Sequence, residues 1–203
     1  MKQRTPLFLL ACLFYLLNTA QAQTKIVGEC AIEFIITNTN TGDTIGNKMV
    51  YIKGDQCKTI LQTPQLKQAL YFNTQQTLAS ITKDIGATHL LQVINYPPSN
   101  LPNLISMKEL LLDSVVNILG YNCKNVALQW SDGIVYQIWY TTEVAATVNT
   151  YELAFKEVPG LVLAYTIIPM VGSPIQYQAI KVDLSPIALS QFNINKELYQ
   201  TID

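Results

Sequence analysis

The stretch from Leu119 to Thr142 constrains this chain more than any other. It reads Leu-Gly-Tyr-Asn-Cys-Lys-Asn-Val-Ala-Leu-Gln-Trp-Ser-Asp-Gly-Ile-Val-Tyr-Gln-Ile-Trp-Tyr-Thr-Thr. Two alternating runs flank Ser131-Asp132-Gly133, which predicts one long β-hairpin. Two registers compete. A two-residue turn at Asp132-Gly133 mixes polar and apolar residues on both faces. A three-residue turn, with Gly133 in the left-handed conformation as a bulge, pairs Trp130 with Ile134, Leu128 with Tyr136 and Val126 with Ile138. All six then share one face, and Asn125, Ala127, Gln129, Val135, Gln137 and Trp139 take the other. Burial of one face specifies register, so the second is expected.

The rest of the chain also alternates in short runs. Cys30 to Thr37 sets Ile32, Phe34 and Ile36 on one face. Asn38 to Asn47 is rich in Thr, Asn and Gly and reads as a loop. Lys48 to Lys53 and Cys57 to Gln62 are strands around Gly54-Asp55, and Pro64 ends the second. Leu70 to Phe72, Thr77 to Thr82 and Thr88 to Ile94 continue the pattern as an antiparallel meander. Asn95 to Asn103 holds Pro97, Pro98 and Pro102 and reads as a connector between two halves of a sheet.

From Ser106 to Gly120 the signals conflict. Ser106 and Glu109 have capping-box spacing, and Gly120 suits the position just beyond a helix end. Val115, Val116 and Ile118 favour a strand. A short helix at about Met107 to Leu112, followed by a strand, is the expectation. Beyond the hairpin, Tyr151 to Phe155 is a strand candidate, and Val158-Pro159-Gly160 is a turn. Leu161 to Ile168 is a strong strand. Tyr177 to Leu184 follows, with Ile180, Val182 and Leu184 inside and Lys181 and Asp183 outside. Gln191 to Ile194 offers a last edge. The fold class expected is mainly β: an antiparallel open barrel or half-barrel of about ten strands with little helix.

The start of the chain reads as an export signal. Lys2 and Arg4 precede an apolar run from Pro6 to Leu17, and Ala20-Gln21-Ala22 has the small-x-small pattern of a cleavage site. The run is short for a permanent membrane span. Residues 1–22 are therefore expected to be a signal peptide and 23–203 a single β-rich domain, exported to the periplasm or secreted. Leu9-Leu10-Ala11-Cys12 resembles a lipoprotein cleavage box, but Cys12 lies inside the apolar run. An outer-membrane lipoprotein is accordingly the lesser alternative. Removing residues 1–22 leaves 181 residues with eleven Lys, no Arg and fourteen acidic residues. Arg is the preferred side chain for bidentate recognition of phosphate and guanine, so a nucleic-acid partner is not expected. Cys30, Cys57 and Cys123 fit no zinc spacing. They read either as small buried hydrophobes or as one disulfide and a free thiol.

No motif carries a catalytic reading. His89 is the one imidazole, and a triad needs a base beside a nucleophile. Pairing His89 with one of the three thiols remains open as a cysteine-dependent alternative. Glu29 and Glu33 share a strand face by spacing and read as a solvated face. There is no Gly-rich phosphate loop and no acidic calcium loop. No metal site, cofactor or enzymatic activity is expected. The aromatic residues are more informative. Trp130, Tyr136, Tyr140 and Tyr165 gather on apolar strand faces, and a sheet of this size must cover its inner face. It can close, fold over, or hold an apolar ligand in the concavity.

Four stretches occur in order: Gly120-Tyr121-Asn122-Cys123-Lys124, Ser131-Asp132-Gly133, Ile138-Trp139-Tyr140-Thr141 and Val158-Pro159-Gly160-Leu161-Val162-Leu163. Together they resemble the GLPGLI group, a family of uncharacterised exported proteins of Bacteroidota. The likeness is clearest over 120–163. This chain departs from the name-giving segment at Glu157, Val158 and Val162. The family's architecture is similar to the LolA-like periplasmic lipoprotein carriers. That resemblance implies an unclosed antiparallel barrel with an apolar concave face, and carriage of lipid or a lipidated partner rather than catalysis. The ligand-facing residues expected are Val126, Leu128, Trp130, Tyr136, Ile138, Tyr140, Leu163 and Tyr165. The alternative is an envelope interaction module whose partner is protein, with no small ligand.

Overall fold

A computed structural model describes residues 24–110 and 115–202. The signal-peptide reading of residues 1–22 lies outside them. Successive side chains on a strand point to opposite faces, so each alternating run becomes a strand with one face to bury. The strands among the described residues are β1 (Lys25–Val27), β2 (Glu29–Asn38), β3 (Thr44–Lys53), β4 (Gln56–Gln62), β5 (Lys67–Asn73), β6 (Leu78–Ile85), β7 (Thr88–Asn95), β8 (Leu104–Glu109), β9 (Val116–Ile118), β10 (Tyr121–Trp130), β11 (Val135–Thr141), β12 (Val144–Ala146), β13 (Leu161–Ile168), β14 (Ile175–Asp183) and β15 (Gln200–Ile202). Ten of these fifteen, β2 to β7 with β10, β11, β13 and β14, run seven residues or more. The other five are six residues or shorter. Among the described residues helix is limited to 3₁₀ turns at Leu153–Phe155, Leu189–Phe192 and Lys196–Leu198.

Thirteen strands form one sheet in the order β15-β7-β6-β5-β4-β3-β2-β14-β13-β11-β10-β8, with β9 also on β10. Every ladder in it is antiparallel except β15 on β7. The sheet does not close, so the fold is an open half-barrel. β1 and β12 form a separate parallel pair. β7 lies near one edge and β8 at the other, so residues 96–103 must cross between the two halves of the sheet. The crossing is tied at both ends. The Tyr96 hydroxyl donates to the Thr150 carbonyl at 3.3 Å. The Asn103 amide donates to Ser131 Oγ at 3.0 Å.

The hairpin adopts the three-residue register. Val126 stands opposite Ile138 and Leu128 opposite Tyr136. The Trp130 amide donates to the Ile134 carbonyl at 3.0 Å, and Gly133 has a φ of 82°. Val126, Leu128 and Ile138 are fully buried. The opposite face is not simply solvated. Asn125 is buried too, and Trp139 stands directly across from Ala164, half-buried.

Several expectations need correction. The helix at Met107 to Leu112 is absent over its described part, because β8 takes that sequence and pairs with Val126–Trp130 of β10. Backbone pairing at a free sheet edge outweighs one local capping signal. Gly120 does not end a helix. It follows Leu119 in the two-residue turn between β9 and β10. Tyr151–Phe155 is not a strand but leads into a 3₁₀ turn, and Gln191–Ile194 overlaps another. The last edge is β15. The loop of 38–47 is shorter than expected, since β3 begins at Thr44. In β14 the register slips between Ala179 and Lys181, leaving Ile180 as the bulged residue, 49% exposed. Val182 still packs on the core because it pairs with buried Ile32.

The core lies on the concave side. Inward residues of β2, β3 and β4, including Cys30, Ile32, Phe34, Val50, Ile52 and Cys57, meet those of β10, β11 and β13. Burial of one such aliphatic side chain stabilises by about 1.5–3 kcal/mol. Residues 147–158 add to this core from above the sheet. Their Val148, Tyr151, Phe155 and Val158 are buried. Phe155 meets the rings of Tyr165 at 4.9 Å, Tyr151 at 5.5 Å and Tyr136 at 6.5 Å. Cys30, Cys57 and Cys123 are free and buried, as small hydrophobes would be.

Candidate functional site

Residues 147–158 cover only part of the concave face. Beside them a cavity of about 1130 Å³ remains open. Its apolar wall comes from Leu61 of β4, Leu70 and Phe72 of β5, Leu101 of the crossing segment, Met107 of β8 and Trp130 of β10. Alternation puts these residues there: Leu70 and Phe72 have the inward parity of β5, as Leu61 has that of β4. Tyr136 and Tyr177 complete the wall. The volume matches or exceeds that of ordinary ligand sites, about 300–1,000 Å³.

The wall also carries charge, at Lys48 and Glu152 and at the exposed Asp132, Lys156 and Glu157. Lys48 shares the inward parity of Val50 and Ile52 on β3 and is only 5% exposed. Its ammonium is paired with Glu152 Oε1 and donates to the Tyr165 hydroxyl at 3.1 Å. It also lies over the rings of Tyr165 and Tyr177, at 5.6 and 5.8 Å from their centroids. Those two rings stack at 4.3 Å. A buried cation in this setting is stable because it is paired, hydrogen-bonded and faced by aromatic rings. Burial, with the Glu152 charge as a lesser cause, pushes the Tyr136 and Tyr177 hydroxyls up to about 12. Both therefore stay neutral near neutral pH. The Trp130 indole nitrogen is buried and has no hydrogen-bond partner among the described residues.

Of the eight ligand-facing residues expected from sequence, Trp130 and Tyr136 line the cavity. Val126, Leu128, Ile138, Leu163 and Tyr165 are fully buried, and Tyr140 is 3% exposed. These six lie in the core shared with Tyr151, Phe155 and Val158. Sequence reasoning missed Lys48, Glu152, Leu70, Phe72 and Tyr177. A signal existed for Lys48, a lysine in phase with the inward Val50 and Ile52. None existed for Glu152, whose position depends on how residues 147–158 fold back.

None of the groups considered for catalysis is among the residues that line the cavity. His89 is exposed, bonded to Asp84 at 2.8 Å, with the Tyr199 ring at 6.0 Å. Burial pushes the Cys30 thiol up to about 12 and Cys123 up to about 11, and Cys57 is raised further by the same cause. An activated nucleophile needs the opposite shift. Glu29 accepts from Lys53 at 2.7 Å and from the Ile187 amide at 2.6 Å. Among the described residues no cluster of three or more His, Cys, Asp or Glu is arranged to hold a metal ion, and no helix is long and apolar enough to cross a membrane.

No protein-family model matches the chain, and no curated protein matches it. Among solved structures, the crystal structure of MucB is similar over 93% of this chain, with 10% sequence identity and a TM-score of 0.47. The chain spans 64% of that structure's chain.

Proposed function

We propose that this protein is an exported, non-enzymatic binder that holds an apolar ligand, a lipid or the lipid portion of a partner in its concave cavity. One observation carries the reading: beside a core packed to full burial, a cavity of about 1130 Å³ stays open against Leu61, Leu70, Leu101, Met107 and Trp130. Apolar surface left in a concavity costs stability that a protein with no ligand would recover by packing. The reading takes in a place in the periplasm or outside the cell, and membership of the GLPGLI-like exported family, both expected from sequence. The raised thiols favour binding over cysteine chemistry. Native mass spectrometry and lipid extraction of protein purified from the envelope of expressing cells test the proposal. A bound apolar molecule at about one per chain is the expected result. Protein that carries none, and acquires none when offered lipid vesicles, contradicts it.

A second reading, an interaction module for an envelope protein, is favoured by β8. It ends the sheet, and its Ile105 and Met107 are 62% and 42% exposed. An exposed apolar edge strand is a ready template for strand addition.

A further inference from the structure

One end of the open sheet holds apolar side chains out in water. β8, β10, β11 and β13 are successive neighbours there. Ile105 is the extra residue where β8 shifts register beside Gln129 and Trp130, and it is 62% exposed. Ile168 stands opposite Val135, so the turn of residues 169–174 follows beside the hairpin turn. It presents Met170 and Val171, 76% and 90% exposed. The turn is fastened to its neighbours. Met170 lies against Gly133, Asn40 Nδ2 donates to Ser173 Oγ at 3.0 Å, and the Thr39 amide donates to the Pro174 carbonyl at 3.1 Å. From β8 to β13 the row spans three ladder spacings, about 15 Å.

This row borders the cavity. Asn103 is bonded to Ser131 of the hairpin turn, and Leu101, Asn103 and Asp132 are exposed residues of the cavity lining. A stable protein interface buries about 800 Å² on each partner. The part-exposed side chains of Leu101, Ile105, Met170 and Val171 fall well short of that. A bilayer sets no such threshold, because each apolar side chain adds to binding as it enters the interface. The segments 39–43, 101–105, 131–134 and 169–174 hold Asp43 and Asp132 as their only charged residues. Anionic lipid therefore repels this end.

Resting on the apolar-ligand reading above for its cargo, we infer that this end of the sheet docks on a neutral, zwitterionic bilayer surface, where Met170 and Val171 insert and the ligand passes between bilayer and cavity. The test is flotation of the purified protein with phosphatidylcholine vesicles, with and without added phosphatidylglycerol. The wild type is expected to float with phosphatidylcholine and to bind less as phosphatidylglycerol is added. Met170→Ser/Val171→Ser is expected to bind these vesicles at least ten-fold more weakly. It should keep its affinity for N-phenylnaphthylamine, an uncharged fluorescent probe, which also shows that it is folded. Leu189→Ser, at a 61% exposed leucine in another part of the chain, is expected to float like the wild type. A wild-type protein that binds the probe but does not float overturns the docking inference and leaves the apolar-ligand reading intact. So does flotation that the double variant keeps, that Leu189→Ser loses equally, or that rises with phosphatidylglycerol. Wild-type dimers that the double variant converts to monomers, without flotation, assign the row to a second copy and overturn it too. Flotation that depends on Met170 and Val171 in a protein that binds no probe supports the docking and overturns the ligand reading.

Discussion

At Gly160 a side chain has nowhere to go. A Cβ there would overlap the backbone carbonyl of Thr141, which cannot yield without moving β11. At Gly133 the Cβ would instead meet the end of the Met170 side chain, which is 76% exposed and flexible. The cost at Gly133 is the left-handed backbone itself. Gly133→Ala is therefore expected to destabilise by about 1 kcal/mol, and Gly160→Ala by about 3 kcal/mol. Denaturant midpoints of the two variants check the order. The Gly of Val158-Pro159-Gly160 was legible from the motif, but its reason, close approach of two backbones, was not. Lys48 was legible by parity and passed over, because an inward lysine reads as unfavourable until its partner is known. Glu29 gives a pH prediction. The hydrogen bond from Lys53, then that from Ile187, lowers its pKa from the ordinary 4.5. A carboxylate lowered in the folded state adds stability above its unfolded value and loses it as pH falls through the folded one. The wild-type melting temperature should drop as pH falls below about 4.5, and Glu29→Gln should show a shallower drop over that window. Equal slopes would contradict this.

At the scale of elements, the hairpin was readable because both strands alternate and only one register buries a whole face. The strands β2 to β7 were readable for the same reason. The segment 147–158 was not. Its Tyr151 and Phe155 have an apolar spacing that suits several conformations, and the sheet that receives them selects the 3₁₀ turn. β8 is similar: its sequence carries helix signals, and the free edge of β10 overrides them. The turn between β9 and β10 shows local conflict. Leu119 has a φ of 54° and Gly120 a φ of 88°, the signs of a type I′ turn, whose usual residues are Asn-Gly. Leu119 is 46% exposed, so its side chain contributes little burial. Leu119→Asn is expected to raise stability by about 1 kcal/mol, the cost of a left-handed non-glycine residue. A thermal melt of the variant reads it, and a lower midpoint would show that the Leu119 side chain matters more than its backbone strain.

At the scale of the molecule, an open antiparallel sheet with a concave apolar side was expected from strand count and alternation, and the fold has it. Which half of the concavity is filled could not be read, since alternation gives the inward face of every strand but not what lies against it. Trp130 and Tyr136 came to the cavity. Val126, Leu128, Ile138 and Leu163, equally inward, came to the packed half under Phe155 and Val158. The central claim is that the open half is a binding site. N-phenylnaphthylamine titration of the wild-type protein, Leu70→Trp and Val171→Ser tests it most directly. Leu70 lines the cavity, whereas Val171 is 90% exposed in the turn between β13 and β14. The wild type and Val171→Ser should bind the probe alike, and Leu70→Trp, which pushes an indole into the cavity from its apolar wall, should bind about ten-fold more weakly or worse. Undiminished binding by Leu70→Trp, or binding lost in Val171→Ser, would contradict the claim.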